Sequence, residues 1–348
     1  MRKKLTEAME EIGKTRPEHQ VLYLRKRIVS LEEDNQKLRV ALGKGKEIAE
    51  AIATAVVTAR PFNGIRKRIS RDQKPRAAAV VLFSDWHIGE VILETETEGF
   101  GNYNYSIAER RIFGVVDSFM RWVEVQRHSY AIEECAIIGI GDYISGDIHR
   151  ELSVTNEFPV PVQTAKAGLL LGECIRRIAP DFASVTFYGV GADNHGRLTM
   201  KGEFKQKAAS NMSFLVHTLT QAYLQEHKNV KILLAVGMKY LAEIQGYRFL
   251  IEHGDNVRGW MGIPYYSLER LQGREARRRM RNDKGFDHQI IGHWHVPGII
   301  SKNILINGSL SGTSEYDHAV GRFSEPCQVA FMVSPNHGIF NWTAFMER

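Results

Sequence analysis

Five short clusters of metal-ligating residue types recur through the sequence, each at the end of an apolar run. They are Ser84-Asp85-Trp86-His87, Gly139-Ile140-Gly141-Asp142, Gly191-Ala192-Asp193-Asn194-His195, Glu252-His253-Gly254-Asp255 and Gly292-His293-Trp294-His295. Carboxylate, imidazole and amide oxygen together suit a borderline divalent ion such as manganese, iron or zinc. The glycines let the backbone turn sharply and bring side chains close to an ion. In Asp85-Trp86-His87 and His293-Trp294-His295 one residue intervenes. Residues i and i+2 of an extended segment point the same way, so each pair is expected to face one site from an extended backbone. A single Asp-x-His is weak, and a single histidine in a strand is more often a core residue with its hydrogen bonds satisfied. The ordered conjunction of all five carries the reading.

The elements that must position these residues follow from hydropathy. After residue 76 short apolar runs alternate with helical patterns. Residues 77–83, 135–140, 185–190, 231–236, 248–251, 289–291 and 304–306 read as buried strands, and 105–126, 161–178 and 205–226 as helices. This is an α/β domain, whose functional loops belong at the carboxyl ends of its strands.

In its order DxH, GD, NH, H, GHxH the sequence resembles the calcineurin-like metallophosphoesterases, over residues 77 to about 310. Within them it is most similar to the branch of double-strand-break repair exonucleases and their phage-encoded relatives. The resemblance implies a β-sandwich flanked by helices. It implies one divalent ion held by Asp85, His87, Asp142 and His295, and a second held by Asp142, Asn194, His253 and His293, with Asp142 bridging. Manganese comes first among the metals, with zinc, iron and magnesium as alternatives. His195 would be the general acid that protonates the leaving oxygen. Two cations clamp the attacking and leaving oxygens of a phosphoester and activate water, and a departing alkoxide needs a proton that histidine can supply near neutral pH.

Three departures qualify the resemblance. Gly196 follows His195 where many relatives carry an acid that orients the histidine; Asp193 or Asp147 would have to replace it. Ser145 stands where the repair nucleases carry a second histidine, and His149 is the nearest candidate for a second active-site acid or phosphate ligand; otherwise it is a solvated loop residue. Only 53 residues follow His295. That leaves little room for capping and ATPase-docking segments, which argues against an obligate ATPase partner.

Charge divides the chain unevenly. Residues 1–76 carry 19 Lys and Arg against 10 Asp and Glu, whereas the remainder carries 27 against 30. A basic arm of this kind binds polyanions or simply solubilises a helix. Within it Val21, Leu24, Ile28, Leu31, Asn35, Leu38 and Leu42 repeat at spacings of three and four. With Val21 at heptad position a, the pattern reads as a parallel two-stranded coiled coil and hence a homodimer, with one buried Asn fixing register. Packing of the same stripe on the chain's own domain is the alternative. Gly43 and Gly45 are expected to end or bend this helix before a second one that runs to Ala59. The expected organisation is a coiled-coil segment at 1–60, a basic linker at 61–76 and a metallophosphoesterase domain at 77–348.

Arg274, Arg277, Arg278 and Arg281 fall on one helical face between two ligand motifs, a pattern suited to phosphates along a nucleic-acid strand. Tyr265 and Tyr266 precede them and could stack on bases or pack in a core. DNA is therefore the first expected substrate. Nucleotides, cyclic nucleotides or other small phosphoesters are the second, and a metal-binding scaffold with little activity is the third. Cys135, Cys174 and Cys327 form no CxxC pair, which fits a reducing cytosol. No apolar signal core follows the charged N-terminus and no run is long enough to span a bilayer, so neither secretion nor membrane insertion is expected.

Overall fold

Every residue of the run Ala77–Phe83 is apolar because strand β1 (Arg76–Phe83) is buried on both faces. Ala77, Ala79, Val81 and Phe83 face one core, and Ala78, Val80 and Leu82 face another. In the computed structural model, which describes residues 17–58, 74–259 and 264–347, the chain divides into two compact units, residues 1–68 and 69–348. The basic linker expected at 61–76 lies mostly outside the described residues.

The larger unit has two sheets. The first orders its strands β11-β10-β1-β2-β3-β4 and the second β5-β6-β7-β9-β8. The ranges in the first sheet are β2 (Ala131–Gly139), β3 (Ser184–Gly189), β4 (Val230–Leu234), β10 (Cys327–Ser334) and β11 (Gly338–Met346). Those in the second are β5 (Lys239–Ile244), β6 (Tyr247–Glu252), β7 (His288–Ile291), β8 (Gly298–Ile300) and β9 (Ile304–Ile306). Strands β1 to β4 run parallel, as do β6, β7 and β9. Their carboxyl ends carry all five ligand motifs.

The layers follow from which apolar stripes meet. Helices Tyr105–Arg127 and Val160–Ile178 cover the outer face of the first sheet with Ile112, Val115, Phe119, Leu171 and Ile175. Between the sheets lie Val80, Ile138, Phe249, Ile251, Ile290 and Phe331. Helix Tyr265–Met280 closes the far side, with Leu268 packed on Ile291, Ile304 and Ile306. The result is helix, sheet, sheet, helix, the sandwich flanked by helices that the resemblance implied. All three cysteines are buried thiols. Among the described residues no helix is long and apolar enough to cross a membrane.

Several boundaries differ from expectation, each for a local reason. The helix expected over 205–226 starts only at Met212, because Asn211 adopts extended backbone and its side chain accepts from Ser213 N, which makes it the N-cap. Helix Pro17–Thr58 continues for 42 residues through Gly43 and Gly45, which are therefore neither an end nor a break. Glycine weakens a helix interior by about 1 kcal/mol without terminating it. Strands β5, β8, β10 and β11 are additional. β8 is three residues long, and β5 and β11 mix half-buried polar residues with apolar ones. β10 is buried throughout, but Gln328 and Ser334 interrupt its apolar run.

Candidate metal centre

Strands β1 and β7 end at Phe83 and Ile291, so both spaced pairs lie beyond the extended backbone that was expected to align them. Asp85 has φ 55°, His87 49°, His293 68° and His295 57°, and Asp142 joins them at 49°. Convergence thus comes from alternate residues entering the left-handed region, not from strand pleating. Each such residue costs on the order of 1–3 kcal/mol, a strain typical of functional sites. Neighbouring loops hold the conformation: Asp85 N donates to Gly141 O at 3.0 Å, His87 N to Asp142 O at 3.1 Å and Gly292 N to His253 O at 3.0 Å. Gly292 has a separate reason, because a Cβ there would strike the Asp85 carboxylate.

The loops bring three sets of donor atoms together, each within 4.8 Å: Asp85, His87 and His295; His87, Asp142 and His195; and Asp142, His253 and His293. His87 and Asp142 each belong to two sets. Asn194 joins the third through its Oδ1, which lies 3.0 Å from His253 Nε2. All seven side chains expected to be ligands therefore meet in one place.

The donor set fits cations. His87 Nε2 and His295 Nε2 face each other at 3.1 Å, so one hydrogen, or a cation in its place, lies between them. Asp142 Oδ2 is buried and makes no aligned hydrogen bond although His253 Nε2 stands 3.0 Å away. His253 Nδ1 lies 2.8 Å from Ile140 O, so it carries the hydrogen and turns Nε2 into the site. His293 N donates to Asp85 Oδ1 at 2.9 Å, leaving the second carboxylate oxygen to Ser84 Oγ.

Protonation follows from burial and these neighbours. Burial pushes His253 down, but the Asp142, Asp85 and Asp193 carboxylates outweigh it and raise its pKa to about 10. Burial would raise Asp142, yet His253 and His195 hold it well below the ordinary carboxylate range. His87 is held well below its usual value and His293 at about 4, in both cases first by burial and then by neighbouring imidazoles. A cation entering beside His253 must displace its proton. Metal uptake at pH 7 is accordingly expected to release protons, with affinity falling about tenfold per pH unit on acidification as that one proton competes. Calorimetric titration in two buffers of different ionisation enthalpy measures this, and identical heats in both would contradict it.

The His195 ring is oriented by a backbone carbonyl and not by a carboxylate. Its Nδ1 lies 2.7 Å from Ser145 O and so donates to that carbonyl, which leaves Nε2 as the atom available to the site. Its backbone N donates to Asp142 Oδ1 at 3.0 Å, and its ring stacks edge-on against His87 at 4.5 Å between centroids. Neither Asp193 nor Asp147 replaces the missing acid. Asp147 is exposed. Asp193 is a buried strut instead: its carboxylate accepts from Asp142 N at 2.9 Å, Gly196 N at 2.8 Å and Asn211 Nδ2 at 3.2 Å. A side chain at Gly196 would collide with Asn211 and crowd Asp193, so this loop has no room for an acid directly after His195.

Two residues outside the expected set belong to the site's surroundings. Glu90 Oε2 lies 3.9 Å from His87 Nδ1, an otherwise unpartnered buried nitrogen. Burial raises the Glu90 carboxyl to about 7. Gln163, on helix Val160–Ile178, accepts from Gly146 N at 2.9 Å and so pins the peptide whose neighbour, Ser145, holds His195. A carboxylate three residues after His87 was visible in the sequence as a spacing, whereas a glutamine in the first turn of a helix gave no signal.

His149 is exposed on the loop after β2 and belongs to none of the three donor sets. Arg274, Arg277, Arg278 and Arg281 are all exposed along helix Tyr265–Met280 and its C-cap. Arg278 pairs with Glu275 at 2.9 Å. Glu275 in turn meets Lys239 at 3.1 Å, which ties the helix to β5. Tyr265 and Tyr266 are 53% and 73% exposed, which decides against core packing.

No family model and no curated protein matches the sequence. Among solved structures the chain is similar to vacuolar protein sorting 29 from Cryptosporidium parvum, at 13% identity over 78% of this chain and 100% of that one, with a TM-score of 0.31. It is also similar to wild-type Vps29 complexed with zinc from Entamoeba histolytica, at 12% identity over 77% and 98%, with a TM-score of 0.29. A third likeness is to phosphopantetheinyl hydrolase from Mycobacterium tuberculosis, at 11% identity over 68% and 91%, with a TM-score of 0.26.

Proposed function

We propose that the chain is a two-metal phosphodiesterase of the calcineurin-like kind, acting on DNA. The observation that carries the reading is the convergence of Asp85, His87, His295, Asp142, His253 and His293 into donor sets linked through His87 and Asp142. Asp85, His87, Asp142 and His295 would hold one cation, and Asp142, Asn194, His253 and His293 the other. Such cations, when bound, supply Lewis acidity and charge neutralisation for displacement at phosphorus.

The chain's own residues do the rest. His195 serves as general acid, giving the proton on Nε2 to the departing alkoxide while Ser145 O retains the hydrogen on Nδ1. The bond from His195 N to Asp142 Oδ1 keeps the acid in constant relation to the shared carboxylate. Asp193 and Asn211 hold the backbone on both sides, so the acid is positioned before substrate arrives.

DNA as substrate is supported by the four exposed arginines on one helix, with two exposed tyrosines at its start. Neutralising Arg274, Arg277 and Arg281 together is expected to weaken binding of a duplex oligonucleotide across all sequences. It should flatten the dependence of log K on log salt by up to about 0.9 per lost phosphate contact. An unchanged salt slope would remove this helix from the substrate path. Hydrolysis of a small chromogenic diester by the same variant at the wild-type rate would show that the centre itself is intact.

A further inference from the structure

Helix Pro17–Thr58 carries a seam of exposed aliphatic side chains. Val21, Leu24, Ile28 and Leu31 are 50–54% exposed and Leu38 is 63% exposed. The adjoining row, Leu22 and Val29, ends at Gln36 and does not continue the seam. A helix of this length gains most of its stability from packing an apolar face, so an open seam calls for an occupant.

We infer that the occupant is a second copy of this chain, lying parallel and in register as a two-stranded coiled coil. Three features select it over other occupants. The first is the seam's composition. Val21 and Ile28 are β-branched at position a while Leu24, Leu31 and Leu38 fill position d, the arrangement that favours two parallel strands.

The second is Asn35, which also stands at a. In a parallel, in-register pair it meets Asn35 of the other copy, and the two amides satisfy each other. An antiparallel partner sets position a against d and leaves the amide among leucines, and a one-heptad slip sets it against an aliphatic side chain. Either arrangement buries an amide without a partner.

The third is charge. With Val21 at a, Arg27 and Asp34 occupy g, and Glu32 and Arg39 occupy e. In a parallel dimer each g faces the e five residues on in the other strand, so Arg27 meets Glu32 and Asp34 meets Arg39. Neither pair can form along one helix, because facing residues there are three or four apart. Arg27, Glu32 and Arg39 have no opposite charge at either spacing on their own helix. Asp34 does have such a neighbour in Lys37, at 3.9 Å and well exposed. The complementarity therefore belongs between strands, and it is self-complementary, as a seam built for its own copy requires.

This inference stands independently of the catalytic reading and is tested by mass. Sedimentation equilibrium of the full chain over a wide concentration range should give a dimer. Arg27→Glu alone, or Glu32→Arg alone, sets two like-charge contacts across the symmetric seam and should weaken the dimer roughly tenfold. The double variant R27E/E32R recreates both attractive contacts and should return the dissociation constant to near wild type. Asn35→Val should keep the chain associated but admit trimers. Far-UV circular dichroism confirms that the charge variants stay folded. A wild-type monomer at every concentration would assign the seam to another partner and overturn the inference. So would a double variant as weak as either single one, because rescue across a spacing of five is possible only between parallel strands.

Discussion

Asp142→Asn is expected to empty both metal positions and to leave no measurable phosphodiester hydrolysis. The carboxylate belongs to two donor sets at once, one with His87 and His195 and one with His253 and His293. An asparagine keeps the size but offers one neutral acceptor oxygen, so it cannot serve two cations or offset their charge. The change also reaches His253, because Asp142 is the largest influence that raises its pKa against burial. In the metal-free variant the His253 proton should be lost at lower pH than in the wild type, an effect visible by NMR even without metal. Elemental analysis of the purified variant provides the direct check. Full loading with two ions would remove the shared-carboxylate assignment, whereas loss of one ion only would assign Asp142 to a single position.

His195→Ala is the second large effect, with a different signature. It should retain metal, because the proposed ligand sets do not include His195. It should slow hydrolysis of diesters with alkoxide leaving groups by roughly 10²–10⁴, and slow a nitrophenyl ester much less, since nitrophenolate departs without a proton. His195 also lies within reach of His87 and Asp142, so its imidazole could instead be a ligand. The two roles separate cleanly. A ligand loses metal and both substrates suffer equally, whereas an acid keeps metal and the losses diverge.

The residue types of the centre were legible in the sequence, but their conformation was not. Asp85, His87, His293 and His295 stood out as ligand types at fixed spacing after apolar runs. Their left-handed backbone had no signature, because non-glycine residues adopt it only when surrounding hydrogen bonds over-determine them. Those bonds run to loops distant in the sequence, such as from Asp85 N to Gly141 O and from His87 N to Asp142 O. The group that orients His195 was invisible for a related reason. A backbone carbonyl such as Ser145 O carries no residue identity, and only the fold shows which one lies under the ring. Gly196 stood out in the sequence as a departure, and a side chain there would meet Asn211 and Asp193.

The layered architecture could be read for the opposite reason. Strands buried on two faces, such as β1, are apolar at every position and need no partner to be recognised. The helix start at Met212 could not be read that way, since Asn211 is recruited as a cap by a fold that also ties it to Asp193.

The central claim is tested most directly by one assay on chelator-stripped protein reloaded separately with manganese, zinc, iron or magnesium. Labelled single- and double-stranded DNA are the substrates, run beside a chromogenic phosphodiester. The account predicts that at least one metal restores DNA cleavage, that stripped protein is inactive, and that Asp142→Asn stays inactive with every metal. Hydrolysis of the chromogenic diester without any cleavage of DNA would keep the metal chemistry and overturn the substrate. Failure of every loaded form to hydrolyse either substrate would contradict the phosphodiesterase assignment itself.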